Sequence, residues 1–263
     1  MTEKLNHEVV PAENDDWVVF VHGAGGSIKT WKYQLDAFRG KANLLLIDLR
    51  DHGASQEMPF HNKSYSFQLI AKDILHLMDN LAIEKALFVA LSMGSLIVQK
   101  IDTMAPNRIK GAIIAGGIFG VNRRIKLFAR FALLLSHLMP FRLNYWLFSW
   151  IVMPKKNHQE ARTIFMKQAK KLSAKAYRRW LGLYREFEQM VNEFKYRPLN
   201  FPLLAIMGNE DYVFLKSAKD FASAQAQALL HVIPDCGHIC NIENAQVFNQ
   251  LAVNYLISFN EDH

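Results

Sequence analysis

The sequence predicts an α/β fold: a mostly parallel central sheet with helices on both faces, interrupted by one helical insertion. Three observations predict it. Short apolar runs alternate with helical patterns through the first part of the 263-residue chain and again near its end. The alternation stops between Ile118 and Asn200, where the pattern is helical throughout. Ser92, Asp211 and His238 each follow a predicted strand, and polar groups that act on ligands gather beyond the carboxyl ends of such strands.

The elements follow in order. Leu5 to Val10 has the length of one short strand. Trp17 to Val21 is a continuous apolar run, read as a buried strand that ends at His22-Gly23. Thr30 to Phe38 reads as a helix with Thr30 as its N-cap. Asn43 to Ile47 is the next strand and ends at Asp48. Ser66 to Leu81 places Phe67, Ile70, Ile74, Leu77, Met78 and Leu81 on one helical face. Ala86 to Ala90 is a strand that leads through a tight turn into a helix from Ser95 to Met104. Ile109 to Ala115 closes the first series at Gly116-Gly117. The helical stretch that follows is broken at Pro140 and Pro154. Pro202 to Ile206 then reads as a strand, Ser217 to Ala228 as a helix, Leu229 to Ile233 as a strand and Ala245 to Phe259 as a last helix. This division makes residues 1–117 and 201–263 one core and residues 118–200 an inserted cap.

Composition narrows the class. Hydrophobic residues make up 51% and charged residues 21%, enough apolar material for a sizeable core. The polar N-terminus has no apolar signal region, and no run approaches the ~18 apolar residues of a spanning helix. Two cysteines, Cys236 and Cys240, make no disulfide framework and suit a cytoplasmic protein. The net charge is +7, but residues 118–200 hold 17 Lys and Arg against 4 Asp and Glu. The remainder holds 14 against 20, so a basic segment sits on an acidic core.

Ala90-Leu91-Ser92-Met93-Gly94 carries the chemistry. A serine on a sharp strand-to-helix turn has small flanking residues because the turn is tight, and its hydroxyl stands clear of the sheet. Ala90 replaces the usual first glycine at the cost of one methyl group. A serine is a weak nucleophile until a base takes its proton. A histidine does that near neutral pH and returns the proton to the leaving group. A carboxylate holds the imidazole in the right tautomer and stabilises its charged form. Ser92, His238 and Asp211 have the residue types and the chain order for this. Glu210 competes with Asp211 as the acid.

With these motifs in place, the chain resembles the α/β-hydrolase superfamily, and its capped esterase and lipase members in particular. His22-Gly23-Ala24-Gly25-Gly26 is similar to that family's oxyanion loop. The resemblance implies that the backbone N–H groups of Ala24 and Met93 hold an oxyanion, supported by His22, Gly23 and Gly25. Asp48 to Ser55 is similar to the family's Asp-x-Arg-x-x-Gly-x-Ser loop, with Asp51 where many members have glycine. Gly208 to Asp211 resembles the acid-bearing turn, and Pro234 to His238, followed by Glu243, the histidine loop. The short N-terminus implies that the family's first strand is missing.

The resemblance implies a cofactor-independent serine hydrolase that cleaves a carboxylic ester with a small or medium apolar acyl or alcohol part. Carbon–carbon bond hydrolases and the menaquinone-pathway lyase share the same three residues and are the enzymatic alternatives. A non-catalytic protein binding an apolar ligand is the alternative outside enzymes. No metal is expected, because Cys236, His238 and Cys240 lack the spacing of a structural zinc site. Asp102 reads as a solvated or capping residue, and histidines other than His22 and His238 as surface or packing residues. Leu127 to Leu135 and Leu143 to Met153 are apolar and aromatic beside basic residues. They read first as a pocket roof and second as a membrane-surface contact. No recognition motif for nucleic acid accompanies the basic charge. An apolar cavity beneath the cap would favour acyl esters, and inward-facing arginines an acidic substrate.

Overall fold

A computed structural model describes residues 4–56, 58, 65–120, 126–127, 131, 133–134 and 139–261. Its centre is a seven-stranded sheet: β1 (His7–Val10), β2 (Trp17–Val21), β3 (Asn43–Ile47), β4 (Ala86–Leu91), β5 (Ile109–Ala115), β6 (Leu203–Gly208) and β7 (Ala228–Ile233). The strand order is β1-β3-β2-β4-β5-β6-β7. Only β1 is antiparallel, pairing His7 with Ile47 and Val10 with Leu44 on β3. The other strands pair in parallel. Strands β3, β4 and β6 are buried at every position, which is why their sequences are unbroken apolar runs rather than alternating ones.

The chain winds outward from β2 to β3, then crosses to the other side of β2 to enter β4. The crevice between the carboxyl ends of β2 and β4 is therefore a topological switch point, where ligands of open α/β sheets bind. His22 follows β2 and Ser92 follows β4 at this crevice.

Helix α2 (Phe67–Asn80) starts where its sequence says: the Ser66 hydroxyl accepts from the Leu69 N–H at 3.1 Å. Its buried face is Phe67, Ile70, Ile74, Leu77 and Met78, as the periodicity predicts. Helix α3 (Gly94–Met104) begins directly at the turn after β4. The predicted helix from Thr30 to Phe38 is corrected to a single 3-10 turn, Ile28–Trp31, and a four-residue helix, α1 (Leu35–Phe38). The cap lies three residues earlier: Ser27 precedes the turn, and its N–H donates to the Thr30 hydroxyl. Trp31 is fully buried against Phe20, and this packing takes precedence over a continuous helix.

Between β5 and β6 the described chain forms α4 (Phe141–Val152), α5 (Gln159–Ala169), α6 (Ala174–Gly182) and α7 (Tyr184–Tyr196). Pro140 stands immediately before α4, and Pro154 lies past its end. After β6 come α8 (Leu215–Ala224), the short α9 (Cys240–Glu243) and α10 (Ala245–Glu261). Most of the stretch from Leu127 to Leu135 lies outside the described residues.

Asp102 corrects another expectation. It is buried on α3 and pairs with Arg197, while the Asn200 amide donates to it at 3.2 Å. These partners lie some 95 residues along the chain, so helical periodicity at Asp102 carries no trace of them.

Candidate active site

Ser92 sits in the left-handed backbone region at φ 50°. Its N–H donates to Ala115 O at 2.9 Å, and its own carbonyl accepts from the Ser95 N–H at 2.9 Å and the Ser95 hydroxyl at 2.6 Å. These bonds over-determine a conformation that costs a non-glycine residue of order 1–3 kcal/mol. The turn also explains the small flanking residues. A Cβ on Gly94 would lie 2.4 Å from Val21 O, so no side chain fits there. Ala90 is fully buried and pairs in register with Val21, so its single methyl is accommodated. Ser92→Gly should be more stable than Ser92→Ala by about 1 kcal/mol, because glycine alone occupies this region without strain. Urea unfolding of the two variants measures the difference.

The structure brings the three predicted residues together. His238 Nε2 lies 2.8 Å from Ser92 Oγ, and His238 Nδ1 lies 2.7 Å from Asp211 Oδ2. The other carboxylate oxygen of Asp211 accepts from the N–H groups of Phe214 at 2.9 Å and Val213 at 3.2 Å. Asp211 is completely buried, and His238 nearly so. Glu210 faces away from this trio. It receives Asn157 and Lys155, whose hydrogen bonds hold its carboxyl down to about 2.

Ala24 and Met93 line the same cavity as Ser92 and His238. Among the described residues, neither amide N–H donates a hydrogen bond to another group of the chain. Two buried histidines shape the loop that carries Ala24. The Leu49 N–H donates to His22 Nε2 at 3.0 Å, so the proton of His22 sits on Nδ1 and is given to Gly23 O at 2.8 Å. The Gly25 N–H likewise donates to His52 Nε2 at 3.0 Å, and His52 Nδ1 donates to Arg50 O at 3.0 Å. His52 was legible in the sequence only as a packing residue. Its histidine-before-glycine context in the Asp48–Ser55 loop was the available signal.

Burial, with His52 nearby, lowers the His22 pKa from 6.5 to about 3. Burial lowers that of His52 as well. The unfolded chain protonates these rings near neutrality while the folded protein does not. The unfolded state therefore binds more protons below pH 6.5, and acid favours unfolding. From His22 alone, stability should fall by about 1.4 kcal/mol per pH unit as the pH drops towards the folded pKa. Urea melts from about pH 7 down to pH 4 measure that slope, and His22→Gln should flatten it.

The Asp48–Ser55 loop is a structural clasp. Asp48 accepts from the N–H groups of Ile28 and Ala54, each at 2.8 Å, and from the Asn6 amide at 2.9 Å. Arg50 grips Asp73 through two bonds at 2.6 and 2.7 Å. Asp51, where glycine is common in the resemblance, has φ 67° and binds Arg179 of α6 at 2.8 Å.

The cavity at Ser92 has a volume of about 160 Å³. Phe148 and Val152 of α4, and Ile164 and Phe165 of α5, line it opposite the serine. A second cavity of about 240 Å³ adjoins it, sharing Ala24, Met93, Ile118, Phe148 and Phe214. Among the described residues, no lysine or arginine lines either one. The opposite side of α4 exposes Leu143, Trp146 and Trp150, so one face of this helix meets the cavity and the other meets solvent. Cys236 and Cys240 are buried free thiols whose pKa values burial pushes up. Neutral thiols are poor metal ligands.

A sheet of this order, with a serine on a strained turn after its central strand, defines the class. A model of the alpha/beta hydrolase family matches residues 18–251, and the chain belongs to that family. Among curated relatives, the chain is 30% identical over 132 residues to esterase YbfF of Escherichia coli, covering 48% of this chain and 50% of that protein. It is 28% identical over 111 residues to 3-oxoadipate enol-lactonase 2 of Acinetobacter baylyi, covering 42% and 40%. Each match thus spans half or less of the relative's length. In three dimensions it is similar to a hydrolase from Pseudomonas aeruginosa, with a TM-score of 0.82 at 20% identity over 95% of this chain and 93% of that one. Among the described residues, no helix is long and apolar enough to cross a membrane.

Proposed function

We infer that the protein is a serine hydrolase that cleaves carboxylic esters with apolar acyl and alcohol portions. The observation that carries this reading is the hydrogen-bonded chain Asp211–His238–Ser92 beside the Ala24 and Met93 amides, which have no partner among the described residues, all at one apolar cavity. His238 takes the Ser92 proton as Oγ attacks the ester carbonyl. The Ala24 and Met93 N–H groups hold the developing oxyanion, usually a major rate contribution in such reactions. His238 then gives the proton to the departing alcohol, leaving an acyl group on Ser92. Water, deprotonated by His238, attacks that acyl group. The acid leaves, and His238 returns the proton to Ser92 Oγ. No step needs a cofactor or a metal.

In this reading, residues 118–200 act as a cap that selects the substrate. The two adjoining cavities meet at Ala24 and Met93, so they suit one apolar group on each side of the scissile bond. The walls formed by the described residues carry no lysine or arginine, which favours a neutral substrate over an acidic one. The resemblance of parts of the chain to proteins named as an esterase and an enol-lactonase supports ester cleavage. The test is hydrolysis of p-nitrophenyl esters of graded chain length, alongside diketones, with labelling of Ser92 by a fluorophosphonate. Ester turnover with labelled Ser92 is the expected result. Turnover of diketones alone would place the chemistry at carbon–carbon bonds. Binding of apolar ligands with neither turnover nor labelling would make the protein a carrier.

A further inference from the structure

We propose that His158, which belongs to the helical segment between β5 and β6, is a positioning residue for the triad. It staples together the two loops that carry Asp211 and His238. This rests on the serine-hydrolase reading above, and concerns a residue outside the triad and the oxyanion loop.

His158 is fully buried, on the single turn Lys156–His158 that precedes α5. The Lys155 N–H donates to its Nδ1 at 3.3 Å, so Nε2 carries the proton and donates to Glu210 Oε2 at 2.8 Å. Glu210 is the residue next to Asp211. On the other side, Glu243 Oε2 lies 3.6 Å from the same Nε2. Glu243 in turn accepts from the Gly237 N–H at 2.7 Å and the Ile239 N–H at 3.1 Å. Those two amides flank His238. One imidazole therefore stands between the carboxylate beside the catalytic acid and the carboxylate that shapes the histidine loop.

Two further contacts join the same parts. The Asn157 amide bridges Glu210 Oε2 at 3.0 Å and Asp235 O at 3.1 Å, and Lys155 pairs with Glu210. A Cβ on Gly237 would lie 3.0 Å from His158 Cε1, so the ring packs directly on the residue before His238. The charge pattern gives the reason for a histidine. Two buried carboxylates converge here, and unrelieved repulsion would push their loops apart. A donor N–H between them eases that repulsion: it bonds to Glu210 and faces Glu243 at 3.6 Å, which sets the loop spacing and with it the 2.7 Å bond from Asp211 to His238. The segment that lines the substrate cavity thus also sets the alignment of the catalytic base.

His158→Phe keeps an aromatic ring, slightly larger, against Gly237 while removing both nitrogens. His158→Gln restores an N–H donor at a similar reach. The readouts are kcat and KM on p-nitrophenyl acetate, a substrate too small to depend on the apolar walls, and the rate of Ser92 labelling by a fluorophosphonate. A misplacement of catalytic groups by about 1 Å costs up to ~100-fold. We expect His158→Phe to lower kcat and the labelling rate by about tenfold or more with KM within about twofold, and His158→Gln to stay within about threefold of the wild type. The effect should also shrink in a Glu243→Gln background, because one interaction is then removed twice. Wild-type kcat in a folded His158→Phe variant overturns the proposal, as does a loss confined to the KM of long esters. A folded His158→Gln variant as slow as His158→Phe overturns it too, and decides the matter if the phenylalanine variant does not fold. Each of these outcomes presumes an active wild type. A wild type that neither hydrolyses esters nor labels at Ser92 defeats the serine-hydrolase reading itself.

Discussion

Ser92→Ala should lose ester hydrolysis by about four orders of magnitude or more while keeping its affinity for an unreactive apolar ligand. The change removes one oxygen, the atom that lies 2.8 Å from His238 Nε2. The Ser95 hydroxyl does not replace it, because it already donates to the Ser92 carbonyl at 2.6 Å. The cavity walls, the Ala24 and Met93 amides and the helices above them do not depend on that oxygen. Binding and turnover therefore separate in this variant. Single-turnover kinetics with a p-nitrophenyl ester, beside calorimetry with a non-hydrolysable ketone of the same shape, measures both. Residual activity near that of the wild type would place the nucleophile elsewhere, and a carrier would keep its biological effect in this variant.

Asp211→Asn should lower kcat by about 10⁴-fold with little change in KM. The reason lies in how the carboxylate is held. One oxygen accepts from two backbone amides, those of Phe214 and Val213, and the other faces His238 Nδ1. An asparagine must turn its oxygen to those amides, since two donors facing its NH₂ would leave all of them unpaired. Its NH₂ then points at Nδ1 and donates to it. The imidazole is driven to carry its proton on Nε2, the nitrogen that must accept from Ser92. The side-chain shape is unchanged and the base is in the wrong tautomer. The pH–rate profile of the variant checks this, because base-assisted turnover should return only as alkaline solvent replaces the histidine. Glu210→Gln is the matching control: if Glu210 were the acid, it would be the variant to lose 10⁴-fold.

Much of the molecule was legible as local pattern. The bounds of β2, β3 and β5 are legible to the residue from their mainly apolar runs, and the face of α2 from its spacing. Pro140 and Pro154 marked the ends of α4 because a proline ring cannot continue a helix. Serine, acid and histidine follow β4, β6 and β7, which places all three at one end of the sheet, and the structure puts them in hydrogen-bond contact. The segment from Thr30 to Phe38 departs from its helical pattern because Trp31 and Phe38 both pack on Phe20 in the core, and this outweighs the pattern of a short segment.

What the sequence determined by itself is the chemistry that is local or ordered: a serine on a turn too tight for a side chain at Gly94, a histidine and a carboxylate in step with it, and a helical interruption before the acid. Tertiary structure decided which neighbour meets the histidine. Asp211 and Glu210 are adjacent and chemically alike, yet one is bonded to His238 and the other to Lys155, Asn157 and His158. His52 at the Gly25 amide, Asp102 beside Arg197 and the two cavities under α4 and α5 belong to the same group. Each depends on groups tens to more than a hundred residues apart. Periodicity and turn chemistry act over a few residues, and such distant groups meet only when the sheet and the helices above it have packed.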